Sequence, residues 1–157
     1  MKKLILIFIA SVFSLASFSQ NSPELDEKWA NYMIETERMA IFQEAMTNLP
    51  EGEKADTFWQ LYKAYESELE GLRQRYFEGL KKYAEVYYKM TDEQADELIA
   101  ENYKRHMDRL KLQKKYHKLI SKNVDAKTAA RFVQLDDAVS MLYRLSVMDE
   151  IPFVGDM

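Results

Sequence analysis

The sequence predicts an all-α fold of four long amphipathic helices arranged as an elongated, curved layer or cradle. Three observations predict it. Helix breakers are scarce: the prolines are Pro23, Pro50 and Pro152, and the glycines are Gly52, Gly71, Gly79 and Gly155. No proline occurs from Glu51 to Ile151, a stretch too long for strands and tight turns. Apolar residues between the breakers recur at spacings of three and four, the period of a helix face. Nowhere does a run alternate apolar and polar between turn residues, as a half-buried strand would.

The first helix is expected over 23–46. Ser22 is a suitable N-cap, and Pro23 fits the first helical position. Trp29, Met33, Met39 or Ile41, Phe42 and Met46 form its apolar stripe, and Asn48-Leu49-Pro50 ends it. The second helix is expected over 51–89, with Phe58, Tyr62, Tyr65, Leu69, Leu72, Tyr76, Leu80, Tyr83 and Tyr87 on one face. Glu66, Glu70, Arg73, Lys81 and Glu85 lie opposite. Such a helix would be roughly 55–60 Å long. A compact domain of this size has a radius of gyration of about 14 Å. The helix therefore bends, at Gly71 or Gly79, or the molecule is elongated, which also predicts a homodimer.

The third helix is expected over 92–122. Thr91 and Gln94 have the spacing of a capping box, and Asp92 and Glu93 suit the positive end of the helix dipole. Its apolar residues are Leu98, Ile99, Tyr103, Met107, Leu110, Leu112, Tyr116, Leu119 and Ile120. Asn123 and Asp125 make the next turn, with Asp125 as N-cap. The fourth helix is expected over 126–149, with Phe132, Leu135, Val139, Leu142, Leu145 and Met148 as its core stripe. Ile151, Pro152, Phe153 and Val154 should fold back on the helices.

The N-terminus carries a different signal. Lys2 and Lys3 precede the apolar run Leu4–Ala10, and Ser17 and Ser19 offer small residues at the −3 and −1 positions of a cleavage site before Gln20. This is the order of a secretory signal peptide over 1–19. The serines leave the stretch short of the roughly 20 apolar residues of a membrane span. The product from 20 to 157 is then a single helical domain, exported across the inner membrane, with no membrane span after processing. Losing Lys2 and Lys3 takes the formal charge from −4 to −6. An acidic exported chain lacks the basic footprint of a nucleic-acid binder.

Composition excludes several chemistries. The chain has no cysteine, which removes disulfides, thiolate-bound zinc, iron–sulfur clusters and thiol catalysis. His106 and His117 share a helix face but lie about 16 Å apart along it, too far for one metal ion. A metal-responsive periplasmic protein would rest on those two residues alone. The acidic neighbours Asp136-Asp137 and Asp149-Glu150 do not face each other on a helix, so neither makes a catalytic dyad; both are read as solvated. No nucleophile elbow or phosphate-binding glycine loop is present. The reading is no enzyme, no catalytic residue, no cofactor and no metal site. The ten tyrosines suit half-buried positions, where an apolar ring meets a polar edge.

Several motifs then point to a family. Met90-Thr91-x-x-Gln94 resembles the Leu-Thr-x-x-Gln motif of the Spy/CpxP family of periplasmic proteins. Phe58-Trp59-x-x-Tyr62-x-x-Tyr65 is similar to the segment that follows the first motif copy in bacterial envelope relatives. Leu112-Gln113-Lys114-Lys115-Tyr116, the stretch from Ala129 to Leu135 with Phe132 and Gln134, and the Ile151-Pro152 ending are similar to that group too. The resemblance covers about 49–154, with Met90 in place of the motif leucine and a degenerate first copy at Leu49–Glu53. It implies a periplasmic, often dimeric helical cradle that binds non-native or partner proteins without ATP in an envelope-stress, chaperone-like role. The alternative is an accessory subunit docking on one envelope or stress-sensor protein. The motif residues are read as helix starts and packing positions.

Overall fold

The structure is a computed structural model. It describes the backbone of residues 23–148 and Val154, and the side chains of 34–148 except Ser146, with that of Val154. The expected signal peptide, with its Ser19–Gln20 cleavage site, lies outside the described residues. So do Asp149-Glu150 and the Ile151–Phe153 tail, while Val154 is exposed.

All regular structure among the described residues is helical. The elements are α1 (Pro23–Ala45), α2 (Glu53–Val86), a 3-10 turn (Tyr87–Lys89), α3 (Asp92–Asn123) and α4 (Ala126–Met148). No helix among the described residues is long and apolar enough to cross a membrane. Local chemistry sets the ends. Gly52 has φ +69° and ψ −139°, a region L side chains rarely enter, so α2 starts at Glu53 rather than at Glu51. At α3 both halves of the capping box are present. The Gln94 amide donates to Thr91 Oγ1 (3.3 Å), and Gln94 Oε1 accepts from the Thr91 amide (3.0 Å). Asp125 caps α4 by accepting from the Thr128 amide at 2.8 Å.

The described residues fall into two compact units, one of 23–45 with 135–148, the other of 46–134 with Val154. In the second unit α2 and α3 pair as an antiparallel hairpin. Three ion pairs mark its register: Glu68–Lys115 (2.5 Å), Arg75–Asp108 (3.2 Å) and Lys82–Glu101 (3.9 Å). Each step of seven up α2 is a step of seven down α3, the spacing of charges that flank a coiled-coil seam. Exposed pairs like these add little stability; their value here is that they fix the alignment.

Within the seam, α2 presents Phe58, Tyr62, Tyr65, Leu69, Leu72, Tyr76, Gly79 and Tyr83 in alternating steps of four and three, all buried or half-buried. The α3 positions Leu98, Asn102, Arg105, Arg109, Leu112 and Tyr116 follow the same rhythm. One end of the seam is aromatic. Tyr65 meets Tyr116 edge-on at 5.3 Å and Phe132 of α4 at 5.0 Å, tying three helices together. Further along it turns polar. Arg105 lies over the Tyr76 ring at 5.6 Å and donates to Asn102 Oδ1 at 3.2 Å. A Cβ on Gly79 would run into that guanidinium. Gly79 thus makes room for an arginine in the seam, and α2 is continuous through both Gly71 and Gly79.

In the first unit Phe42, Val139 and Val147 are buried. Arg38 and Asp136 form a buried ion pair at 2.7 Å. The Tyr143 hydroxyl donates to Glu37 Oε2 at 2.9 Å. Burial nevertheless pushes the Glu37 carboxyl above its usual range.

Three sequence expectations change. Asp136 is not solvated: Arg38 holds it inside. Glu66, assigned to the outer side of the second helix, is buried and accepts from Arg73 at 2.9 Å. Leu145 and Met148, assigned to the core of the fourth helix, are exposed. Asp136 is held by a residue of another helix, whereas the partner of Glu66 is Arg73, two turns along the same helix.

Candidate binding surface

The seam occupies one side of α3. A second apolar row occupies another. Ile99 (47% exposed), Tyr103 (66%), Met107 (53%) and Leu110 (53%) follow one another in steps of four, four and three. At about 100° per residue they fall within an arc of roughly 80°. Single exposed apolar residues are ordinary, but several aligned on one face mark a contact surface. The small residue Ala100 is exposed at the margin of the same face. The first unit has a shorter row of the same kind on α4, formed by Met141 (63%), Leu145 (58%) and Met148 (53%).

Charge is ordered along the α3 row. Asp92 and Asp96 stand at its N-terminal end, and Lys114 and Lys118 at its C-terminal end, all exposed. His106 is exposed and His117 half-buried near the same arc. Among the described residues no group of three or more His, Asp or Glu is placed to hold a metal ion.

A shallow groove of about 350 Å³ runs along the ion-pair side of the hairpin, lined by Glu68, Leu72, Asp108, Lys111, Leu112 and Lys115. Its carboxylates are already engaged. Hydrogen bonds from Lys115 and then Tyr116 hold the Glu68 carboxyl below its usual range. Lys111, and further Arg75, do the same for Asp108. Neither carboxylate is poised to exchange a proton near neutral pH. Tyr116 is the reciprocal case: burial first, then the bond its hydroxyl donates to Glu68 (2.7 Å), push the phenol up to about 12.

The motif residues fall into two groups. Phe58, Tyr62, Tyr65, Gln113, Tyr116 and Phe132 are buried and Trp59 half-buried, gathered around the aromatic end of the hairpin. Met90, Thr91 and Gln94 sit at the opposite end, where Thr91 and Gln94 close the capping box. Gln134 is exposed. None belongs to the outer row of α3. The sequence reading took Ile99, Tyr103, Met107 and Leu110 simply as apolar residues of the third helix. The signal that separates them is angular, since they lie more than a quarter of a turn away from Leu98, Leu112 and Tyr116.

No protein-family model, curated protein or solved structure matches this chain.

Proposed function

We propose that this chain is an exported periplasmic protein of the Spy/CpxP type, working by binding rather than catalysis. It holds non-native protein segments on the outer face of α3 without nucleotide. The observation that carries this reading is the row Ile99, Tyr103, Met107 and Leu110, exposed on a helix whose other face is already packed. A methionine and a tyrosine within such a row suit varied sequences, since thioether and phenol both adapt to mixed surfaces. The exchange is reversible because the face is shallow and flanked by solvated charge. The N-terminal charge-then-apolar order supports export, and the motif order supports the family.

The test is light scattering from an aggregating client protein without ATP. The protein should suppress aggregation at a few-fold excess, and Tyr103→Ser with Met107→Ser should remove most of that effect while leaving the helical circular dichroism unchanged. No suppression across several clients would refute the proposal.

A further inference from the structure

Positive charge gathers on the outer face of α3. From 104 to 122 the chain has eight Lys and Arg and one acidic residue, although its formal charge as a whole is −4. A charged helix face is most often only a solvated one, with both signs interspersed. Here one sign runs for roughly five turns. Lys104, Lys111, Lys114, Lys118 and Lys122 are all exposed and fall within an arc of roughly 80°. The helix dipole accounts for Lys122 in the last turn and not for the other four. The one carboxylate of the stretch, Asp108, lies outside that arc and pairs with Arg75 at 3.2 Å and Lys111 at 3.4 Å. Among the described residues no carboxylate pairs with Lys104, Lys114, Lys118 or Lys122.

Tyr103, Met107 and Leu110 stand in the same stripe, 66%, 53% and 53% exposed. Lys104 and Lys111 flank Met107 about one turn to either side. One face thus presents lysines without carboxylates and apolar side chains without cover. A nucleic acid or an acidic peptide would meet the lysines and leave Met107 and Leu110 in water. An anionic bilayer surface meets both, because its phosphates stand above an apolar layer. Lysine suits that surface better than arginine does. Its ammonium is a point charge on a flexible stem, which can rise to a phosphate while the methylenes lie along the apolar boundary.

We propose that the lysine stripe of α3, with Tyr103, Met107 and Leu110, is a peripheral docking site for membranes rich in anionic phospholipid. No helix among the described residues is long and apolar enough to cross a membrane, and three apolar side chains give only a shallow, reversible contact. Asp92 and Asp96, exposed at the other end of the face, are repelled by such a surface, so α3 meets it with its C-terminal half. The inference rests on the proposed function only in taking the apolar row as a contact surface. Lipid and client would compete for that row, whereas the lysines serve the lipid.

The experiment is vesicle flotation with the protein recovered from expression of the whole chain. Vesicles of phosphatidylglycerol and phosphatidylcholine in about equal parts should carry the protein, and vesicles of phosphatidylcholine alone should not. Salt at about 0.5 M should release most of it, and inorganic phosphate or polyglutamate should compete no better than chloride of the same ionic strength. Each lysine beside such a surface strengthens binding by about five-fold. K114E/K118E/K122E should therefore weaken binding by about a hundred-fold or more, while K114R/K118R/K122R should bind as the wild type does. Met107→Ser with Leu110→Ser, which leaves the charges alone, should weaken it by about ten-fold. Circular dichroism on every variant checks that the helices remain. Equal binding to both kinds of vesicle, binding to neither, a charge-reversed variant that binds as the wild type does, or selective displacement by phosphate or polyglutamate would each overturn the inference. A wild type that binds the anionic vesicles yet leaves client aggregation unchanged would sink the proposed function and leave the lipid site standing. A wild type that suppresses aggregation and ignores the vesicles would do the reverse.

Discussion

The two faces of α3 carry similar residues and have opposite fates. Its inner face contributes Leu98, Leu112 and Tyr116 to the seam with α2, and Tyr116 is almost wholly buried against Tyr65. Its outer face carries Ile99, Tyr103, Met107 and Leu110, each about half exposed or more. Leucine and tyrosine occur on both. Hydrophobicity therefore does not separate a core face from a contact face in this helix. What separates them is whether a neighbouring helix supplies matching residues, as α2 does in steps of seven along the inner side.

Substitutions on the two sides should differ in kind as well as size. Phe132→Ala should have the largest effect, about 3–5 kcal/mol, because a fully buried ring against Tyr65 leaves a cavity between three helices. Urea unfolding would measure it, and a loss below about 1 kcal/mol would mean the aromatic end is not the core.

Tyr116 tests the inner face through pH. Its folded value of about 12 lies above the unfolded value of 10.0. The fold thus holds the phenol protonated. The resulting stability is fully present below pH 10 and is lost as pH rises from about 10 to 12. Urea midpoints should fall through that window, and Tyr116→Phe should flatten the fall.

Smaller effects follow at the hairpin's end and on the outer side of α2. Thr91→Ala removes one half of the capping box and should cost about 1 kcal/mol by urea unfolding. Gly71→Ala should stabilise by about 0.5–1 kcal/mol, since a Cβ there meets nothing within 4 Å and alanine favours the helix. The same change at Gly79 should gain less, because Arg105 must move aside. Tyr103→Ser should change stability least, by under about 0.5 kcal/mol, because its side chain is mostly in water. A large loss there would show that the outer face is packed after all.

Much of the fold was legible in the sequence, and the reason differs by element. The start of α3 was legible because a capping box is local, needing only Thr91 and Gln94 three residues apart. The seam side of α2 was legible because Phe58, Tyr62, Tyr65 and Leu69 hold a strict period. Arg105 in the seam was not, since its place depends on Gly79 across the hairpin. The burial of Asp136 depends likewise on Arg38, nearly a hundred residues away. The outer row of α3 was present in the sequence as apolar residues, but nothing local says which of two apolar faces another helix will cover.

By itself the sequence determined that this chain is helical, where its helices begin and end to within a few residues, and the order of charge along α3. Those properties come from backbone sterics, caps and periodicity, which act over a turn or two. The tertiary structure decided which face of α3 is core, why an arginine fits opposite a glycine, and which carboxylates are buried. Burial is a property of pairs of helices, and only the folded chain brings those pairs together.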